Sequence, residues 1–311
     1  VELIRDLHNL REQHRGCAVT IGNFDGVHTG HQHLIKTVCD HANSASIPAC
    51  AVSFEPLPVE FFVPEDKRPH RLTMIREKIT RLATHQLDQL LLLRFNQQLA
   101  NSTADQFIRQ VLIDGLNTKY LLIGDDFHFG KDRQGTFATL QTASEKFGFE
   151  LQQADTLSYE NERVSSTRIR KLLTDGNLLC AAEMLGTDYS IEGRVEFGAQ
   201  LGRTIGFPTA NIQLKNHNPP LRGVFAVDVT GYSNQTLHGI ANVGVKPTVK
   251  GVRLSLEVHI LDFQSDLYRQ RLRVHFLHKL RDEKKFAGLD ELKAAIATDE
   301  QNARQWFAKT T

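Results

Sequence analysis

Short apolar runs alternate with helix-period patterns through the first part of the chain. CAVTIGN (17–23) reads as a buried strand, HQHLIKTVCDHAN (31–43) as a helix, and PACAVSF (48–54) as a second strand. A helix over LTMIREKITRLATH (72–85), a strand over LDQLLLLRF (87–95), a helix beginning near Ser102 and a strand over TKYLLIGDD (118–126) follow. Strands separated by helix-length intervals need right-handed crossovers, so the pattern predicts an α/β domain built on a doubly wound parallel sheet. After RVSSTRIRKLLTDGNLLCAAEMLG (163–186) the texture changes. YSIEGRVEF, GVFAVDVT, LHGIANVGV, LSLEVHIL and RLRVHFLHKL are strands set apart mostly by Gly, Pro and Asn turns, which predicts a small antiparallel β-barrel. LDELKAAIATDEQNARQWFAK (289–309) has the composition of a terminal helix. The boundary falls at 186–190, giving domains of 1–186 and 187–311.

Ligands of open parallel sheets gather beyond the carboxyl ends of the strands. TIGNFDGVHTGHQH (20–33), FEPLP (54–58) and GDDFHFG (124–130) each follow a predicted strand, so all three are expected along one edge. The first carries Gly22, Gly26 and Gly30 together with His28, His31 and His33 where a strand turns into a helix. The free N–H groups and positive dipole end of that helix suit an anion, phosphate first. His28 and His31 flank Gly30 at i, i+3 spacing, which puts both imidazoles on one side of the helix entrance. The glycine spacing is neither G-x-x-x-x-G-K-[ST] nor G-x-G-x-x-G. Metal chelation and histidines without a role stay open as alternatives, although no carboxylate or Cys ligand set lies nearby.

Three further segments carry candidate chemistry. SSTRIR reads either as an N-cap with a basic first turn or as a second anion site at a helix start. In GRVEFGAQLGRTIGFPTANI (193–212), Gly193, Gly198, Gly202 and Gly206 precede Thr209 and Asn211, whose oxygens face the same side of an extended strand. Such oxygens suit Mg²⁺ held mainly by nucleotide phosphates, and a β-bulge or barrel corner is the competing use of the glycines. Glu257 is a single carboxylate inside the apolar run LEVHIL, either solvent-facing or retained for function.

Composition narrows the picture. The chain has 311 residues, 41% hydrophobic and 23% charged, which is globular and long enough for two cores. A net charge of +1 provides no general attraction to nucleic acid or membrane. Cys17, Cys39, Cys50 and Cys180 are scattered, as expected for reduced thiols. No stretch approaches the ~20 apolar residues of a membrane helix, and VELIRDLHNL is not signal-like. The expectation is a cytoplasmic protein, monomeric by default, that acts on small molecules with no nucleic-acid or membrane partner.

GNFDGVHTGHQ matches the H-x-G-H signature of the nucleotidyltransferase superfamily, and VSSTRIR (164–170) looks like its [I/V]-S-S-T-x-x-R element. With FEPLP and GDDFHFG, the first half resembles the FAD synthetase module of bacterial bifunctional riboflavin kinase/FAD synthetases. That resemblance implies an ATP site of Gly22, Asn23, Phe24, Gly26, His28, Gly30, His31, Ser165, Ser166, Thr167 and Arg168, with His28, His31 and Arg168 catalytic. It also implies that Phe54, Pro56, Pro58, Asp126 and Phe129 contact the flavin; ordinary core packing is the other use of the two aromatic rings. Leu57 stands where the family often has His or Gln, and His128 where it often has Arg. His33 lies outside H-x-G-H and reads as an ordinary helix residue.

GFPTAN resembles the riboflavin kinase signature, and the similarity continues through GVFAVDV, GIANVGVKPTV, LEVHILDF and LYRQRLRVHFLHKLRDEKKF. The resemblance implies ATP contacts from Gly193, Gly202, Gly206, Thr209 and Asn211, Mg²⁺ held by Thr209 and Asn211, and Glu257 as catalytic base. His275 stands where relatives often carry Glu. Over nearly the whole chain, the resemblance implies phosphorylation of riboflavin to FMN and adenylylation of FMN to FAD. ATP is the co-substrate and Mg²⁺ is needed in both steps.

Overall fold

The computed structural model of the chain describes residues 1–197, 206–214, 218–233, 235–248 and 251–310. It divides into two compact units, Val1–Pro69 with Thr73–Ser166, and His70–Leu72 with Thr167–Thr311.

The first unit is a six-stranded parallel sheet. Its strands are β1 (Glu2–Arg5), β2 (Ala18–Ile21), β3 (Ala49–Glu55), β4 (Gln89–Arg94), β5 (Tyr120–Ile123) and β6 (Glu150–Gln153), in the order β1-β4-β3-β2-β5-β6. Both faces are buried, and alternate residues of each central strand go to different cores. Val19, Ile21, Val52, Phe54, Leu91, Leu93, Leu121 and Ile123 enter one cluster. Ala18, Ala49, Ala51, Leu90, Tyr120 and Leu122 enter the other. This double burial is why the central strands read as continuous apolar runs rather than alternating ones. Helices α1 (Thr29–Ala45) and α3 (Ile75–Ala83) supply Ile35, Val38 and Leu82 to the second cluster. Helix α6 (Phe137–Phe147) and the segment Ile108–Ile113, which winds as a π-helix, cover the other face.

Several bounds differ from expectation. The helix expected from near Ser102 begins as α5 (Ala104–Phe107), which the π-helical segment follows directly; a separate short helix, α4 (Gln97–Ala100), precedes it and is split from it. Two caps cause the split: Asn96 accepts from the Leu99 N–H at 3.0 Å, and Thr103 from that of Gln106 at 3.2 Å. The helix expected over 72–85 begins only at Ile75, where Met74 is extended (ψ 159°) as N-cap and its N–H donates to Glu77 Oε2 at 2.9 Å. Pro58 opens α2 (Pro58–Phe62) in its first turn.

In the second unit, α7 (Ser166–Thr174) and α8 (Leu178–Leu185) precede a closed antiparallel barrel. Its strands are β9 (Ser190–Glu196), β10 (Ala210–Ile212), β11 (Gly223–Thr230), β12 (Leu237–Thr248), β13 (Gly251–Ile260) and β14 (Arg271–Arg281), ordered β10-β13-β12-β11-β14-β9; a small hairpin, Ser158–Tyr159 with Glu162–Arg163, lies in the first unit. Gly193 is required at the crossing of β9 and β10, where a Cβ would fall within contact of Ile212 Cγ2 and 2.9 Å from the Gln213 carbonyl. The terminal helix α9 (Leu289–Thr310) lays Ala303 and Phe307 against Val224, Ala226 and Ile240 on the outside of the barrel. β11 is therefore buried on both faces from Gly223 to Val227, which accounts for the apolar run GVFAV.

Asp299 of α9 is buried and holds the Arg281 guanidinium of β14 through three contacts of 2.9, 3.2 and 2.8 Å. Trp306, the single tryptophan, stacks on His278 beside it at 5.6 Å. Asp299→Ala is expected to cost about 2 kcal/mol of the barrel's stability, the range for hydrogen bonds to charged groups. In urea, the Trp306 fluorescence transition should move to lower concentration.

Candidate active sites

Strand order reverses at β2, with β3 on one side and β5 on the other, so the segment between β2 and α1 sits at a topological switch point. The turn is tight: Phe24 (φ 47°) and Val27 (φ 46°) both adopt the left-handed region. Each such residue costs about 1–3 kcal/mol. Both side chains are buried, and burial of groups of that size contributes about 1.5–3 kcal/mol apiece, enough to hold the turn.

The loop backbone is tied from below. Asp25 Oδ1 accepts from the Thr73 N–H at 3.1 Å and its hydroxyl at 3.4 Å, and the Gly26 N–H donates to Thr73 Oγ1 at 3.0 Å. The Asn23 carbonyl accepts from Lys78 Nζ at 2.8 Å and Ser53 Oγ at 3.4 Å. Lys78 is fully buried, and taking an ammonium out of water costs several kcal/mol that such contacts must offset. Gly22 directly follows β2.

His28 caps α1, its Nδ1 accepting the His31 N–H at 3.3 Å, so the proton of the neutral ring sits on Nε2 as a donor. The His28 and His31 rings stack at 3.6 Å with an 18° angle, and Phe24 meets His31 edge-on at 5.2 Å. Gly30 makes room for this pair, since a Cβ there would lie 3.2 Å from His28 Nδ1. Burial, then the nearby His28, Lys78 and Arg163, hold the His31 pKa well below its ordinary value. Its Nδ1 is buried and has no hydrogen-bond partner among the described residues. His31, neutral and stacked on His28 with an unsatisfied buried nitrogen, can receive an anion, which would raise its proton affinity.

Ser166, the last residue of the first unit, donates through Oγ to the Asp25 carbonyl of the histidine loop at 2.9 Å. Ser165 lies one residue before α7; Thr167 and Arg168 continue α7 in the second unit. His33 is exposed on α1.

Phe54 is the penultimate residue of β3 and Phe129 follows β5; both rings lie in the same core cluster, 8% and 7% exposed. The Phe54 ring meets Phe95, which in turn contacts Phe61 and the exposed Phe62. Pro56 follows a cis peptide bond, and Leu57 is buried. Arg163 holds Asp125 at 2.8 Å and Asp126 at 2.7 Å, while His128 is exposed.

In the barrel, register assembles the second constellation. Asn211 on β10 stands opposite Glu257 on β13 and Glu196 on β9, and Glu257 stands opposite Asn242 on β12. These four are half-buried, whereas Ile212, Leu256, Val258, Ala241 and Val243 between them are buried in the barrel. The polar row therefore lies on the outer face, with directly opposed side chains about 4.5–5.5 Å apart at Cβ. The His259 ring contacts the Pro208 carbonyl through Nδ1 at 2.8 Å, which anchors the segment leading to Thr209. Gly206 immediately precedes that segment and has a positive φ of 91°. Gly202, like Gly198, lies outside the described residues.

Sequence reasoning missed Asp25, Lys78, Thr73, Glu196, Asn242 and His259. Lys78 carried no signal, being a polar residue on an amphipathic helix. Glu196 and Asn242 could be found only from strand register, while His259 sits two residues from Glu257 on the same face.

The His31 shift has a stability consequence with a definite sign. Below about pH 6.5 the unfolded chain protonates this imidazole while the folded chain does not, so stability falls as pH drops, until the lowered folded value is reached. His31→Gln removes that contribution. Urea unfolding of the first unit should then depend less on pH between about 6.5 and 5 than in the unaltered chain.

A FAD synthetase family model matches residues 10–168 and a riboflavin kinase model residues 185–307. The bifunctional riboflavin kinase/FMN adenylyltransferase of Escherichia coli (strain K12) is 45% identical over 311 residues, covering 100% of this chain and 99% of that protein. The Pseudomonas fluorescens protein described in the same words is 47% identical over 305 residues, 98% of this chain and 97% of its own. A solved Streptococcus pneumoniae structure, described as a macrolide-efflux protein, superposes with a TM-score of 0.85 at 31% identity, covering 98% of this chain and 100% of that one. Among the described residues no helix is long and apolar enough to cross a membrane. With both catalytic modules matched in order and the relatives aligned almost end to end, the chain belongs to the bifunctional riboflavin kinase/FMN adenylyltransferase family.

Proposed function

We propose that His28 and His31 receive the ATP phosphates for adenylyl transfer and that Glu257 is the base for riboflavin phosphorylation, with the division between the two activities at 186/187. In the first reaction a phosphate oxygen of FMN attacks the α-phosphorus of ATP, and the bond to pyrophosphate breaks. The cost lies in the charge on the transferring group and the leaving pyrophosphate, so donors at fixed positions suffice and no covalent nucleophile is required. His28 offers Nε2–H, and Ser165, Ser166, Thr167 and Arg168 are assigned to the same nucleotide, with the backbone of Gly22, Asn23, Phe24, Gly26 and Gly30 around it. The observation that carries this reading is His31, stacked on His28, held neutral, with a buried nitrogen unsatisfied among the described residues. Phe54, Pro56, Pro58, Asp126 and Phe129 remain assigned to the flavin side, the two rings acting from within the core.

In the second reaction the terminal hydroxyl of riboflavin attacks the γ-phosphorus, its proton passes to Glu257 and ADP leaves. Asn211 faces Glu257 across the β10–β13 pair, which supports one site for both. Thr209 and Asn211 offer neutral hard oxygens of the kind Mg²⁺ accepts alongside phosphates and water, and Gly193, Gly202 and Gly206 are assigned to the nucleotide. Mg²⁺ would neutralise phosphate charge in both reactions. A cytoplasmic, monomeric protein acting on small molecules is consistent with four free cysteines and a net charge of +1.

The roles are separable. His28→Ala combined with His31→Ala should reduce FAD formation from FMN and ATP by at least about a hundredfold and leave FMN formation from riboflavin intact. Glu257→Ala should do the reverse. Chromatographic separation of the flavins reads both, and loss of both activities in a folded variant would sink the assignment.

A further inference from the structure

We propose that Lys78 is a positioning residue for adenylyl transfer, holding the Asn23 carbonyl at the start of the phosphate loop and setting a fixed positive charge beside the His28–His31 stack. Lys78 is fully buried on α3, where a Met or Leu would fill the same space with no charge to desolvate. Its ammonium donates to the Asn23 carbonyl at 2.8 Å and lies 3.5 Å from Ser53 Oγ on β3. Asn23 is the second residue beyond β2, so this contact fixes the direction in which the loop leaves the sheet. The same loop continues to the strained Phe24, to Asp25 and to the cap of α1, so an error at Asn23 passes to the histidine rings.

The charge does separate work. Three groups act on the His31 ring electrostatically: His28 from the cap of its own helix, Lys78 from α3 and Arg163 from the hairpin. Of these, Lys78 is the fully buried cation, weakly screened by solvent. Such a charge attracts a polyphosphate without touching it, and it adds to the burial that keeps His31 uncharged. The inference rests on the assignment of the histidine pair to ATP.

Lys78→Met is expected to raise the ATP KM for FAD formation about tenfold, the effect of losing a hydrogen bond to a charged group. Riboflavin phosphorylation by the same chain should stay within about twofold, and the urea transition of the first unit, which carries Lys78, serves as the folding control. The His31 ring, followed by NMR, should titrate at higher pH than in the unaltered protein; because burial is the largest cause of its lowered value, the comparison with Lys78→Arg separates lost charge from ring exposure. Lys78→Arg, which keeps the charge, should retain the low His31 titration and most of the FAD-forming activity; it carries the test if the Met variant does not fold. An unaltered ATP KM with an unmoved His31 titration in Lys78→Met overturns the proposal. So does a folded Lys78→Arg chain whose His31 titration rises as far as in the Met variant, or equal losses in both reactions. If His31→Ala leaves FAD formation intact, the assignment to ATP fails instead, and the two failures are distinguishable.

Discussion

A parallel strand that ends inside a core hands its neighbours a problem: the backbone groups just beyond it are still far from water. β2 lies between β3 and β5, and the chain must reach α1 within the residues 22–28. Every polar group on that path needs a partner. Most of the first site's architecture is an answer to this need. Asp25 and Thr73 satisfy each other and Gly26, Lys78 and Ser53 reach the Asn23 carbonyl, and Ser166 reaches that of Asp25. The same groups, once positioned, leave two histidine rings at the entrance to a helix whose first N–H groups face outward. Structural satisfaction and ligand recognition are thus achieved by one set of contacts.

The barrel meets a different constraint. A closed antiparallel sheet has one register, and a slip by one residue would turn Asn211 and Glu257 into the core and Ile212 and Leu256 out of it. The apolar residues that fill the barrel thereby fix the polar row on its outside. The second site depends on the interior for its geometry without sharing any atom with it.

Legibility followed from burial. The four central strands were readable because both faces are apolar, and α1 because its buried residues recur at helical spacing. β1 and β6 were not, since ELIR buries only Ile4 and ELQQ no side chain fully. Edge strands have one open flank and carry no sustained apolar run. At the sites, His28, His31, Thr209, Asn211 and Glu257 were visible through local spacing and family resemblance. The partners that arrive from distant segments, Lys78 to Asn23 and Glu196 to Asn211, have no local signature and became visible only once the strands and helices were placed.

The position of β1 bears on how the chain avoids other copies of itself. β4 contains Leu90–Leu93, its most apolar stretch, and without β1 it would form the open edge of the sheet. An uncovered edge of that composition is a template for intermolecular pairing. β1 pairs along it from Glu2↔Gln89 to Arg5↔Leu92, bringing a carboxylate and a guanidinium to the new margin. The covering strand precedes the strand it covers in the sequence, so during synthesis it is already available when β4 emerges. A chain built this way carries its own guard against aggregation ahead of the segment that needs it.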